Sequence, residues 1–243
     1  QNNEIPPAGH LLVQKNLDLE FRSRARQDLT DMIVHDLRTP LTSIKCTLGL
    51  IRGRRMINDR DYRKLVEYAD TAADFILLML NDMLDLGQAE EVGLKAARGR
   101  IDLARLARKL GEFFAGRCKT LGVALECLMP ASSATVSSDP HLLFRVWANL
   151  LVNAIDTSPS GEKVVLEATR NEDETLFKVS DRAVTLTEEE RGRIFEKYAV
   201  TRSRPAEGGH GVGLAFCRVA GAALKAKLWV EPRPGGGNCF FLK

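Results

Sequence analysis

The sequence predicts two fold classes in series, α followed by α+β. An antiparallel helical hairpin pairs with a second copy as a dimeric four-helix bundle, and an α/β sandwich follows it. Three observations predict this. Residues 9–88 carry apolar positions at helical spacing and almost no strand signal. From residue 99 onwards, short β-rich runs alternate with helical ones. Between them "AEEVGLKAARGR", residues 89–100, shows neither period.

Taking the elements in order, Leu12, Leu19 and Phe21 sit in a weak register interrupted by Arg22, Arg24 and Arg26, which reads as a helical lead-in over residues 1–27. Ile33, Leu37, Leu41, Ile44, Leu48 and Ile51 then follow in steps of four, four, three, four and three. Tyr62, Leu65, Ala69, Ala72, Ile76, Met79, Met83 and Leu86 alternate steps of three and four, giving one heptad seam on each of two helices. Gly53 can end the first helix, and Asn58 or Asp59 can cap the second. One hairpin cannot bury both seams, which is why a second chain is expected. In the second part, a helix is expected over 103–120, a strand at "VALECL", a short strand at "ATVSSDP" and a helix over 141–156. A hairpin follows across "KVVLEATRNEDETLFKVSD", then short and longer helices over 188–195 and 213–224, and a closing hairpin at "KLWVEPRPGGGNCFFL".

Composition narrows the function classes. A net charge of +3 in 243 residues, with 28% charged and 44% hydrophobic residues, argues against a dedicated nucleic-acid binder. Five scattered cysteines without a CxxC pair suit reduced thiols in the cytoplasm. The longest apolar run, "FILLML", is far too short to span a bilayer. The start at Gln1 suggests a fragment, so any membrane anchor is expected in segments outside this chain.

The chemistry starts at "HDLRTPL", residues 35–41. His35 lies two positions from both Ile33 and Leu37, about 200° around the helix from each, so it points away from the seam. Asp36 can fix its tautomer and sharpen the nucleophilicity of the free ring nitrogen. Thr39, one turn on, can orient a water or a phosphoryl oxygen. Pro40 inside the helix typically costs about 3 kcal/mol. Stability alone would not place it beside an outward imidazole.

These seven residues resemble the H-box of the sensor histidine kinases of two-component systems. The resemblance implies that His35 attacks the γ-phosphate of ATP, that Asp36 acts as base or orienter, and that Thr39 assists hydrolysis of phosphate from the partner regulator. Arg38 would sit near the transferring phosphate and stabilise its charge.

"NLLVNAIDTS", residues 149–158, resembles the N-box. Asn149 and Asn153 are four apart and share a helix face. The resemblance implies that they bind the nucleotide and that Asn153 holds Mg²⁺ through its oxygen. Asp156 stands where the family usually has a phosphate-facing lysine, and Thr157 where it has an aromatic residue or histidine. "GGHGVGLAFC" resembles the last glycine box, whose Gly209, Gly211 and Gly213 let backbone N–H groups approach phosphate at a helix start. "IFEKYAV" resembles the aromatic box that packs a lid over the nucleotide. In "DRAVT", Asp181 would accept from the adenine amine, but Ala183 and Thr185 replace both glycines of the first glycine box. Were glycine geometry needed there, nucleotide affinity would fall by roughly ten- to a hundredfold.

The resemblance thus implies three segments: a lead-in at 1–27, a dimerisation and phosphotransfer domain at 28–92, and an ATP-binding domain at 99–243. It implies a homodimer that uses ATP and Mg²⁺, autophosphorylates on His35, and passes the phosphoryl group to an aspartate of a response regulator receiver domain. Regulator phosphatase activity is a companion expectation. The alternative is a pseudokinase or scaffold that binds nucleotide weakly and acts through its bundle.

Overall fold

The computed structural model describes residues 34, 37–53, 58–91, 93–130, 135–171, 174–197, 199 and 212–243. The lead-in over 1–27 lies outside them. Helix α1 covers 37–53 and runs through Pro40. Helix α2 (Asp59–Glu91) starts on Asn58, whose Oδ1 accepts from the Asp61 N–H at 2.8 Å. No helix among the described residues is long and apolar enough to cross a membrane.

The α/β layer contains β1 (Gly99–Asp102), α3 (Leu103–Leu121), β2 (Ala124–Leu128), β3 (Thr135–Ser138), α4 (Pro140–Thr157), β4 (Lys163–Arg170) and β5 (Thr175–Ser180). It closes with α5 (Glu188–Arg193), α6 (Val212–Leu224), β6 (Leu228–Pro232) and β7 (Asn238–Leu242). The main sheet has the order β2-β4-β5-β7-β6; β2 and β4 are parallel and the other pairs antiparallel. Alternate residues point inward: Val164, Leu166 and Ala168 on β4, Phe177 and Val179 on β5. They meet α4, where Trp147 is fully buried against Phe177 with ring centroids 4.8 Å apart. On the other face Trp229 stacks on Phe241 at 4.9 Å and stays half-buried.

The expected hairpins and helices of this layer form, within one to two residues at most ends. β1 does not follow from the sequence. It lies in the stretch expected to be a link and pairs antiparallel with β3. With one apolar residue, Ile101, in "GRID", it carries no alternation to detect.

Helix α2 is not a freely standing hairpin arm. Phe75, Leu78 and Leu86 join the same apolar core as α3, α4 and α6. Phe75 packs on Phe113 and Phe114 of α3 at 4.7 and 5.6 Å between centroids. The seam residues Ile76, Met79 and Met83 are half-buried, and Leu77, Leu80 and Leu84 on a third face are exposed, Leu84 at 63%.

Candidate functional site

The segments expected to carry the chemistry are α1, α4, the 181–186 loop and the start of α6. His35 and Asp36 lie outside the described residues, as do Gly209 and Gly211. Arg38 and Thr39 are exposed on the first turn of the described part of α1, beside the half-buried Pro40.

Helix α4 is held at its start by Asp139. One carboxylate oxygen accepts from the His141 and Leu142 N–H groups and the other from Ala97 N–H at 2.7 Å. This fixes where Asn149 and Asn153 fall about three and four turns later. Asn153 is buried. Asn149 is engaged by α2: its Nδ2 donates to Asp82 Oδ2 at 2.5 Å and to the Arg145 carbonyl at 3.0 Å. Helix α2 thus supplies an acceptor for the Asn149 carboxamide.

Around that contact sits a charged cluster. Arg145 donates from Nε to Asp82 Oδ1 at 2.8 Å and from Nη1 to Asp85 Oδ2 at 2.5 Å. Its Nη2 lies 2.6 Å from Asp82 Oδ1 without a well-directed hydrogen bond. The guanidinium also lies 4.1 Å over the Phe216 ring of α6. Asp82 is 1% exposed. Burial lifts its carboxyl from 3.8 to about 7, against the pull of Arg145 and the Asn149 hydrogen bond.

Asp181 is equally buried, at 1%. Its Oδ1 accepts from Ala183 N–H at 3.0 Å, Asn238 N–H at 2.9 Å and Asn238 Nδ2 at 3.2 Å. Its Oδ2 is buried without a protein partner. Burial pushes this carboxyl up, while the Asn238 and Ala183 N–H groups pull it down. An orphaned, desolvated acceptor on a rigid loop fits an amine donor such as the exocyclic amine of adenine. For Mg²⁺, the described residues contain no cluster of three or more His, Cys, Asp or Glu. A single asparagine oxygen completed by phosphates and water remains an adequate Mg²⁺ environment.

The two lost glycines do not strain the loop. Among the described residues the only non-glycine with positive φ is Lys225, so Ala183 and Thr185 sit in ordinary backbone regions. The loop is instead clamped by the β6–β7 turn, which the sequence did not single out. Thr185 Oγ1 accepts from Gly237 N–H at 3.1 Å, and Leu186 N–H donates to Asn238 Oδ1 at 2.9 Å. Arg233 donates to the Asp181 carbonyl at 2.9 Å. Gly237, at φ +97°, approaches so closely that a Cβ would lie 2.2 Å from that carbonyl oxygen. Three consecutive glycines before Asn238 were the available signal.

Asp156 does not confront a phosphate position unopposed. Arg117 of α3 clasps it with two hydrogen bonds, Nε to Oδ1 at 2.6 Å and Nη2 to Oδ2 at 2.5 Å, and also covers the Phe75 ring at 5.1 Å. The last glycine of the final box, Gly213, has a packing role: it lies against Asn149.

Two family descriptions match in series. Residues 25–92 match the His Kinase A phospho-acceptor domain, and residues 138–243 match the histidine kinase-, DNA gyrase B- and HSP90-like ATPase. An adaptive-response sensory kinase SasA from Synechococcus sp. (strain JA-3-3Ab) is 30% identical over 256 residues, covering 99% of this chain and 67% of that protein. The chain belongs to the sensor histidine kinases. Histidine protein kinase DivJ of Caulobacter vibrioides is 26% identical across 94% of the chain and 39% of its own length. The SasA protein of Prochlorococcus marinus is 27% identical across 95% of the chain and 60% of its own length, so the chain spans less than two thirds of several such relatives. Among solved structures, Acinetobacter baumannii histidine kinase AdeS aligns with a TM-score of 0.56 at 21% identity, covering 86% of this chain and 95% of that one. Full-length ShkA, in a complex with AMPPNP, aligns at 0.60 and 23%, covering 86% and 43%. At these identities the likeness is one of fold.

Proposed function

We propose that this chain is the catalytic core of a sensor kinase that autophosphorylates on His35 with ATP and passes the phosphoryl group to a receiver-domain aspartate. The observation that carries it is the buried Asp181 carboxylate with one oxygen unpartnered, beside an asparagine-bearing helix and ahead of a glycine-rich helix start. A bound Mg²⁺–ATP supplies the phosphoryl group. Asp181 selects adenine. Asn153 orients the metal-bearing end, with Gly209, Gly211 and Gly213 at the glycine-box helix start. His35 is the nucleophile, Asp36 receives or orients its proton, Arg38 offsets charge, and Thr39 serves the reverse, phosphatase reaction. We place the dimer contact on the face carrying Leu77, Leu80 and Leu84, whose exposure in one chain calls for a second copy. Domain limits of 28–92 and 99–243 fit these roles, and supply of ATP and a receiver partner places the core in the cytoplasm.

The scaffold alternative is not favoured, because its main support was the lost glycines and these impose no backbone strain. Incubation with γ-labelled ATP and Mg²⁺ tests the proposal. Acid-labile label is expected on the wild type and absent from His35→Gln. An unlabelled wild type overturns the kinase reading.

A further inference from the structure

Helix α2 presents two acids, Asp82 and Asp85, to a surface that is otherwise apolar. Leu78 and Leu86 flank them in the common core, and Phe216 backs Arg145 from the far side. If the only task of this face were to fix α2 to the lobe, leucines would do it at least as well. A buried ion pair roughly cancels its Coulomb gain against desolvation and is often no stronger than an apolar pair of equal volume. What a polar contact adds is a geometry that can be exchanged for another partner. Asn149 is the exchangeable element here. It is a nucleotide-binding residue by position in the N-box, yet its donor is committed to Asp82.

Resting on the kinase reading above, we propose that Asp82 is a latch: it ties the nucleotide lobe to α2 through Asn149 and Arg145, and so withholds Asn149 from the nucleotide until α2 lets go. Nucleotide binding and α2 docking compete for one carboxamide. Arg145 contributes the second half of the latch. It pairs with both Asp82 and Asp85 of α2, so it gives up both partners when α2 lets go.

The test compares wild type, Asp82→Ala and Arg145→Met, the second breaking the latch from the other side should the first fold poorly. Calorimetry with Mg²⁺–AMPPNP reads the competition. Hydrogen exchange of 75–86 and 140–157 without nucleotide reads docking. The expected result for either folded variant is faster exchange in both segments and a roughly three- to tenfold tighter AMPPNP affinity, the span of one net hydrogen bond. Unchanged or weaker affinity overturns the latch, as does an absence of AMPPNP binding by all three proteins. The γ-label experiment separates the two ideas. Tighter AMPPNP binding in the variants with no label on any protein sinks the kinase reading and leaves the latch. Label on the wild type with equal affinities in all three does the reverse.

Discussion

Gly213 and Asn149 are packed so closely that a Cβ on the glycine would lie 2.3 Å from the asparagine Oδ1. The glycine is there for space. It sits in the first turn of α6, which crosses α4 where the Asn149 side chain emerges.

Gly213→Ala must therefore push Asn149 or α6 aside. A clash against a side chain held by two hydrogen bonds from its Nδ2 costs about 1–3 kcal/mol. Urea denaturation is expected to show that loss, with weaker AMPPNP binding beside it. An alanine variant as stable as wild type would mean that Asn149 moves freely, contrary to its two hydrogen bonds.

Asp181→Asn should keep the loop and lose the nucleotide. The remaining carbonyl oxygen can still accept from Ala183 and Asn238, while the new amide nitrogen presents donors where adenine's amine needs an acceptor. Binding of AMPPNP is expected to weaken by at least about tenfold with little change in the melting curve. Normal affinity would remove Asp181 from the base-recognition role.

Asp156→Lys restores the residue usual in related kinases and is expected to harm this one. The partly exposed bidentate pair with Arg117 is worth roughly 0.5–1 kcal/mol, and two cations over Phe75 add repulsion. The lysine variant should be less stable than Asp156→Ala in the same denaturation series. Equal stability of the two variants would show that the second cation adds no repulsion.

Docking of α2 should depend on pH through Asp82. Its carboxyl is raised to about 7 by burial, with Asp85 on α2 adding to the rise; Arg145 and Asn149 on α4 oppose it, and the Cys217 thiol of α6, itself pushed up by burial, faces the same space. The docked state thus binds a proton more tightly than a released, solvated aspartate near 3.8. Between those values docking is favoured at the acid end and is lost as pH rises through about 7, by up to roughly tenfold per pH unit. A neutral Asp82 can still accept from Asn149. Hydrogen exchange of 75–86, corrected for its intrinsic pH dependence, should show protection falling from pH 5.5 to 8. Asp82→Asn should flatten the profile. An identical slope in both would assign the titration to another group.

Most of the α/β layer was legible because its signals are local. Asp139 before Pro140 marks the start of α4, and Gly122 in the left-handed region ends α3. The heptad steps of α2 marked a helix but not its partners. Its periodicity showed Ile76, Met79 and Met83, whereas Phe75, Leu78 and Asp82 lie on the neighbouring stripe that meets the lobe. A helix that packs on two sides blurs into one broad apolar face in sequence. An aspartate within that face was the trace of the second side. The Arg117–Asp156 pair, 39 positions apart, left no sequence trace at all. Each residue alone reads as a solvated charge, and only the packing of α3 on α4 joins them.

The chain has two tryptophans, Trp147 sealed under the sheet and Trp229 on its open side, and both belong to the α/β layer. Tryptophan emission, excited selectively over that of Tyr62 and Tyr68 on α2, consequently reports on that half. Circular dichroism at 222 nm counts the 33 residues of α2 together with the helices of the layer, so it senses both halves. Superimposable melts by the two signals would mean the halves come apart as one cooperative body, and any gap between them measures how firmly the shared core joins the long helix to the sheet-bearing module.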